Sequence, residues 1–489
     1  MPTFALLIWP LCALVIGQRL PFQKALIWGI IVPYLFLPEA FSIDLPGLPD
    51  LDKTMMVSLG ILIIFVTNRS SIDPAPRESE APLLRFLLLV GIIMILTAPS
   101  LTVLNNQEAL RFGNTVIPGL PLKESITDPI ITTLSIAPYY FARRYLATPQ
   151  AHRKMLMVLT IMGLLYSVLM LIEMRLSPQL HRWIYGFHQH SFLQHIRDGY
   201  RPMVFLYHGL FVGFFICTCV LAALGLWKAG QGVKWLIAAG WLLVMLLMSN
   251  NLGATVICFL MTAVYLVTGR WIQILFAMSI GFVIFLYPVF RGAGIVPVEQ
   301  ISAAAATVSE ARSKSLGTRL RNEDISLERA LEKPLTGWGR WGRNQAYNEA
   351  GEVVTIQEGV WILAITVNGW YGYLGLFSVL TLPAMFMIGV WRRKEIPPET
   401  FALMAITTGN LIYMIPTALL TPVSWMTFGA LTGFMLNRVQ GNETETETEM
   451  TGADGPVSHY TRFAGTRVHT PMQRPATGVA HHGRTKALQ

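Results

Sequence analysis

The sequence predicts an all-α, polytopic membrane protein with about 12–13 transmembrane helices and a large extracytoplasmic loop. Three observations predict it. Of the 489 residues, 53% are hydrophobic and only 13% charged, whereas a soluble domain carries about 25% charge. Apolar runs recur from residue 4 to residue 438, most of them near the roughly 20 residues that a bilayer-spanning helix needs. Lysines and arginines gather in every second loop, the asymmetry that sets orientation in a membrane.

The runs cover residues 4–17, 21–37, 54–67, 83–98, 126–142, 153–174, 202–226, 234–248, 252–268, 271–290, 360–391, 398–418 and 421–438. The first has no basic segment before it, which speaks against a cleavable signal peptide. Residues 234–268 admit two readings: two short helices broken at Ser249-Asn250-Asn251-Leu252-Gly253, or one long tilted helix. One set of loops holds Arg19 and Lys24; Arg69, Arg77 and Arg85; Arg143, Arg144, Arg153 and Lys154; Lys228 and Lys234; and Arg392, Arg393 and Lys394. Placed in the cytoplasm, this set leaves residues 38–53, 99–125, 175–201 and 291–359 on the outer side.

The expected organisation is therefore as follows. Residues 1–290 form transmembrane helices with an outer loop at 175–201. Residues 291–359 form the extracytoplasmic loop with an amphipathic helix, and 360–438 return to the membrane. Residues 439–489, with their Glu-Thr repeats and few large apolar side chains, read as a disordered cytoplasmic tail. The four cysteines, Cys12, Cys217, Cys219 and Cys258, all lie in apolar runs and match neither a zinc nor a disulfide spacing.

The net charge is +9. In a bilayer protein this excess serves orientation and an anionic substrate rather than nucleic acid. The outer loop 291–359 is itself rich in arginine, with Arg291, Arg312, Arg319, Arg321, Arg329, Arg340 and Arg343. Long loops cross regardless of charge, and an anionic ligand would explain why these cations are there.

Three stretches carry candidate chemistry. The first, residues 173–209, holds Arg175, Arg182, Arg197 and Arg201, with His181, His188, His190, His195 and His208 and interleaved aromatics. Interfacial location explains the aromatics. It does not explain Gly199-Tyr200-Arg201-Pro202, where Pro202 suits a first helical turn and Arg201 would sit at a helix N-terminus, an anion-binding position. A guanidinium there grips phosphate bidentately. His208, placed about two turns into that helix, reads either as a hydrogen-bonded bundle histidine or as a functional group. The histidines show no companion carboxylate or cysteine spacing, so no metal and no cofactor are expected.

The second stretch, residues 313–342, has Leu316, Leu320, Leu327 and Leu331 at helical spacing, ended by Pro334. Arg319 and Glu323 stand four apart, as in a surface ion pair. Gly337-Trp338-Gly339-Arg340-Trp341-Gly342-Arg343 follows, offering Trp338 and Trp341 as sugar-stacking surfaces beside two cations. In the third stretch Gln357-Glu358-Gly359 precedes an apolar run. Glu358 there reads either as an N-terminal helix carboxylate or as a general base beside arginines.

Taken in order, YGFHQHSFLQHIRDGYRPMVFLYHG, the SNNLGA break, RLRNEDISLERALEKPLTGWGRWGRN and GVWILAITVNGWYGYLG resemble the O-antigen ligase and O-antigen (exopolysaccharide) polymerase family of bacterial membrane glycosyltransferases, over about residues 150–390. The resemblance implies a multi-pass protein of the bacterial inner membrane, with its long loop periplasmic and its tail cytoplasmic. It implies metal-independent transfer from an undecaprenyl-diphosphate-linked glycan to a saccharide or lipid A core acceptor. The lipid bilayer and chain-length regulator proteins would be its other partners. Arg201, Arg319 and Arg321, with Arg340 and Arg343, would hold the diphosphate, and Glu358 and His208 would be catalytic. Ligases of the family usually carry a His-Asn pair after the glycine-rich loop. Here Asn348, Gln357 or Glu358 occupies that region, so polymerase and ligase both stand. A transporter or flippase of lipid-linked or anionic solutes is the alternative, and an accessory subunit the third.

Overall fold

The computed structural model describes residues 1–437, except 45–48, 70–71, 73–77, 79, 197–198, 309, 393–394 and 418–419. The tail expected to be disordered, Arg77, Arg197, Arg393 and Lys394 lie outside the described residues, as does the side chain of Arg312.

Helices form where the apolar runs predict them. α1 (Pro2–Arg19), α2 (Phe22–Phe36), α3 (Lys53–Thr67) and α4 (Pro82–Leu104) take up the first four runs. A two-stranded antiparallel hairpin, β1 (Leu110–Phe112) and β2 (Thr115–Ile117), follows with Leu110 opposite Ile117. The run at 126–142, expected as one span, divides at Ile136 into α5 (Glu124–Ser135) and α6 (Ala137–Tyr145). Pro138 explains the break, since it has no N–H to continue the ladder and suits a first turn. Next come α7 (Pro149–Leu176), α8 (Leu180–Tyr185) and α9 (Gly209–Lys228).

Residues 234–268 are two helices, α10 (Lys234–Met248) and α11 (Leu252–Val267). Asn250 takes a left-handed conformation at φ 55°, and the Asn251 side chain caps α11 by accepting the Ala254 N–H. α12 (Arg270–Gly292), α13 (Val298–Val308) and α14 (Glu310–Glu332) lead to α15 (Val360–Met385), α16 (Met387–Trp391), α17 (Pro398–Met414) and α18 (Pro422–Leu436). α15 is kinked at Gly369, whose φ of 65° and ψ of −170° are not helical.

Among the described residues, six helical stretches are long and apolar enough to cross a membrane: α1, α4, α7, α9, α12 and α15 with α16. That is fewer than the expected 12–13. α2, α3, α10 and α11 are apolar but have only 15 or 16 residues, roughly 23 Å of helix against about 30 Å of hydrocarbon. α9 is the central rod, enclosed by α7, α10, α11 and α17. α1 and α4 instead present Leu7, Leu11, Phe86, Leu89 and Ile93 outward. An apolar band of this kind suits lipid rather than water.

Candidate functional site

The segment 202–208, expected as the first turns of α9, is not helical. α9 begins at Gly209. The apolar run Met203-Val204-Phe205-Leu206 reads as helix, but other side chains take over its backbone hydrogen bonds. Buried Glu173, near the end of α7, accepts the N–H groups of Met203 and Val204 at 2.8 and 2.7 Å and that of Leu180 at 3.0 Å. Tyr166 accepts the Phe205 N–H, Lys53 donates to the Phe205 carbonyl, and Gln189 donates to the Val204 and Leu206 carbonyls. Val204 is thereby held at φ 54°, a strained region for a β-branched residue. These partners satisfy both N–H and C=O groups of the segment without a helix, so it is a built loop.

This loop places Arg201 and His208. Arg201 is not the first helical residue. It folds back over the helix start instead: a side chain at Gly209 would meet its Cγ and Cδ at 2.5 Å. Its Nη2 donates to the Asn250 carbonyl at 2.8 Å, so the break between α10 and α11 orients this guanidinium. His208 does not lie two turns inside the helix. It is the N-cap, its Nδ1 accepting the Leu210 N–H at 3.0 Å.

The opposite wall comes from α14 and the approach to α15. α14 covers the expected amphipathic helix, with Leu320 and Leu327 buried. Leu331 is 58% exposed and leaves the predicted stripe. Arg319 and Glu323 do not pair. Arg319 Nε lies 2.6 Å from Glu358 Oε2, an ion contact without in-line hydrogen-bond geometry, and Arg319 Nη1 donates to the Pro416 carbonyl. Glu323 instead faces Arg291 at 3.5 Å and accepts from Tyr287 Oη at 3.4 Å. Burial pushes the Glu323 carboxyl up to about 7, with Arg291 opposing. Burial likewise raises Glu358, and Arg319 holds it down. Gln357 anchors the approach by pairing with Asn344 through both amide atoms.

Between these walls lies a chamber of about 1090 Å³, lined by His190, Arg201, His208, Lys314, Arg319 and Glu358 among others. A second chamber, of about 390 Å³, is walled largely by isoleucines from α11, α12, α15 and α17, with Tyr287 and Glu323. Arg319, Asn322, Ile356, Gln357, Glu358 and Pro416 line both. A cation-lined space of mixed polarity thus adjoins an almost wholly apolar one across the Arg319–Glu358 pair.

The glycine-rich segment does not reach either chamber. It is stitched to the kink in α15: Trp338 and Gly339 N–H groups donate to the Thr366 and Val367 carbonyls, and Trp370 and Tyr371 N–H groups donate to Pro334 and Leu335. Gly337, at φ 66°, leaves no room for a Cβ, which would meet Val367 backbone at 2.5 Å. Arg343 is fully buried and spends its guanidinium on the Trp338, Glu108 and Pro118 carbonyls and on Asn106. It is a structural clamp, not a diphosphate ligand. Trp338 is buried under the Arg329 guanidinium at 3.5 Å, so no sugar can stack on that face. Arg340 lines a small pocket with Glu124 and Asp128. Trp341 is 73% exposed, and Arg321 is exposed; both stand apart from the chambers.

Chain spacing did not reveal that His190, His195 and His208 converge, with one ring nitrogen of each inside a 4.8 Å group. The donor set does not fit a metal. His195 Nδ1 donates to the Ser191 carbonyl and its Nε2 accepts the Gly209 N–H, while His208 Nδ1 accepts the Leu210 N–H. His195 could join a metal only by stripping the Gly209 N–H, at the start of α9, of its acceptor, because its other nitrogen is already spent on Ser191. Glu173 and Glu323 are further residues that spacing did not single out. An acid in an apolar run was the available signal for Glu173. The chain was also compared with known proteins: no protein-family model matches it, and no curated protein matches it.

Proposed function

We propose that the chain is a membrane glycosyltransferase that polymerises or ligates undecaprenyl-diphosphate-linked oligosaccharides. The observation that carries this reading is the joining of the two chambers at Arg319 and Glu358, with Arg201 on the facing wall. A polyprenyl diphosphate sugar needs apolar space for its tail and guanidinium groups for its diphosphate, side by side. The resemblance in the loop sequences supports the same substrate class.

In this reading the acceptor hydroxyl oxygen attacks the anomeric carbon. The bond from that carbon to the phosphate oxygen breaks, and the electron pair leaves on the lipid diphosphate. Arg201 and Arg319 stabilise the charge that develops there. The hydroxyl proton passes to Glu358. A diphosphate that draws Arg319 away leaves Glu358 with its burial uncompensated, which raises its basicity. The substrate thereby prepares its own base.

The test uses purified full-length chain in proteoliposomes with a defined undecaprenyl-diphosphate oligosaccharide. Release of lipid diphosphate with chain growth, or with attachment to a lipid A core, is expected. Movement of the intact lipid-linked substrate between leaflets without cleavage would replace this reading by transport.

A further inference from the structure

His208 caps α9 through Nδ1 and lines the larger, cation-lined chamber. In a neutral imidazole a nitrogen that accepts a hydrogen bond carries no proton, so the other nitrogen carries it. The Leu210 N–H therefore fixes the proton of His208 on Nε2. The charged and titratable groups that face the ring are His190, His195, Arg201 and Arg319, with no carboxylate among these described neighbours. Burial first, and then the neighbouring His195, His190, Arg201 and Arg319, depress His208 to about 3. It is thus neutral at physiological pH and too weak a base to take a proton from an alcohol. A helix N-terminus used in this way makes an imidazole a neutral electrophile.

We propose that His208 is a neutral hydrogen-bond donor of the chamber, its Nε2–H presented to a diphosphate oxygen beside Arg201. The cap on α9 sets the tautomer, and Arg201 brings the anion. The naming of a diphosphate oxygen rests on the transfer reading above; the donor state does not. No proton is transferred, and the hydrogen bond strengthens as charge builds on the departing diphosphate.

The experiment is nitrogen-15 NMR of the full chain labelled in its histidine rings, with the His208 signals identified by their loss in His208→Asn. Asparagine keeps an N-cap acceptor but is too short to reach the chamber. The expected result near pH 7 is a protonated Nε2 and an unprotonated Nδ1, with the Nε2–H resonance moving on addition of inorganic diphosphate. A proton on Nδ1, an imidazolium, or a resonance indifferent to diphosphate would overturn the proposal. In turnover, His208→Asn should lower kcat about a hundredfold with KM little changed. His208→Gln, which restores an N–H near the Nε2 position, should recover most of that loss. Wild-type kcat in the asparagine variant would also overturn it. If the wild-type chain cleaves no lipid-linked saccharide, the transfer reading fails, while the NMR arm still decides the donor state.

Discussion

Arg319 and Arg343 belong to the same segment between α12 and α15, and a sequence reading treats them alike. The structure separates them. Arg343 is sealed in and spends its N–H groups on carbonyl oxygens, on Asn106 and, at 3.5 Å, on the Glu108 carboxylate of the chain's own fold. Arg319 is about one-third exposed to a chamber and is held by one carboxylate and one carbonyl. A cation whose donors are used up by several fixed acceptors is a structural pin. A cation balanced by a single acid in a cavity can change partners. The difference between pin and ligand is therefore set by how many fixed acceptors surround the guanidinium, not by its place in a motif.

The largest expected effect lies on the chamber side. Arg201→Ala and Arg319→Ala should each lower transfer by roughly 10²–10³-fold without changing the amount of inserted protein. Transfer rates and membrane yield, measured on the same preparations, check this, and undiminished transfer would remove Arg319 from the comparison. On the structural side, Arg343→Ala should cost about 3 kcal/mol of stability by leaving buried carbonyls without donors. Thermal unfolding should show that loss, while the folded fraction keeps its rate per molecule within a small factor. A variant that melts normally but fails to transfer would reverse the two assignments.

Glu358→Gln comes next, with a slowing of about 10²-fold and a weaker dependence of rate on pH. The partner swap adds a further expectation. Without its acid, Arg319 is already released, so this variant should bind inorganic diphosphate at least as tightly as the wild type. Titration calorimetry checks the binding and steady-state kinetics the rate. Weaker binding would show that Glu358 holds Arg319 in place rather than competing with the ligand.

Much of the helical pattern was legible, because apolar runs and charged flanks follow from bilayer physics and need no tertiary information. The break at Asn250 was legible as one of two readings, since asparagine tolerates the left-handed turn that the chain makes there. The start of α9 was not. Met203 to Leu206 look helical in sequence, and the distant Glu173, Tyr166, Gln189 and Lys53 convert them into a loop. For the same reason the glycine-rich segment was misread. Its glycines are required by contact with α15, and that contact is invisible until the kink at Gly369 is known. Arg201 and Arg319 were singled out by their places at the ends of apolar or amphipathic runs, and one chamber is lined by both. Arg321, Arg340 and Arg343 were swept in with them because sequence counts charges and cannot see which face a helix buries.

The smallest effect sharpens the comparison at its apolar edge, where Glu323 faces Arg291 beneath the second chamber. Its folded-state value of about 7 lies above the ordinary 4.5, so the folded chain binds this proton more tightly than the unfolded chain does. Stability from this group is therefore complete below pH about 4.5 and is lost as pH rises through about 7, with a slope of at most about 1.4 kcal/mol per pH unit. Glu323→Gln should flatten that slope and leave stability at low pH nearly unchanged, because glutamine mimics the protonated acid. Arg291 keeps Asp324 at 2.7 Å as its partner, so the variant does not strand a cation. Thermal melts of both forms across this pH range decide the matter. An unchanged slope would mean that Glu323 is ionised throughout and that Arg291, rather than the apolar chamber, governs it.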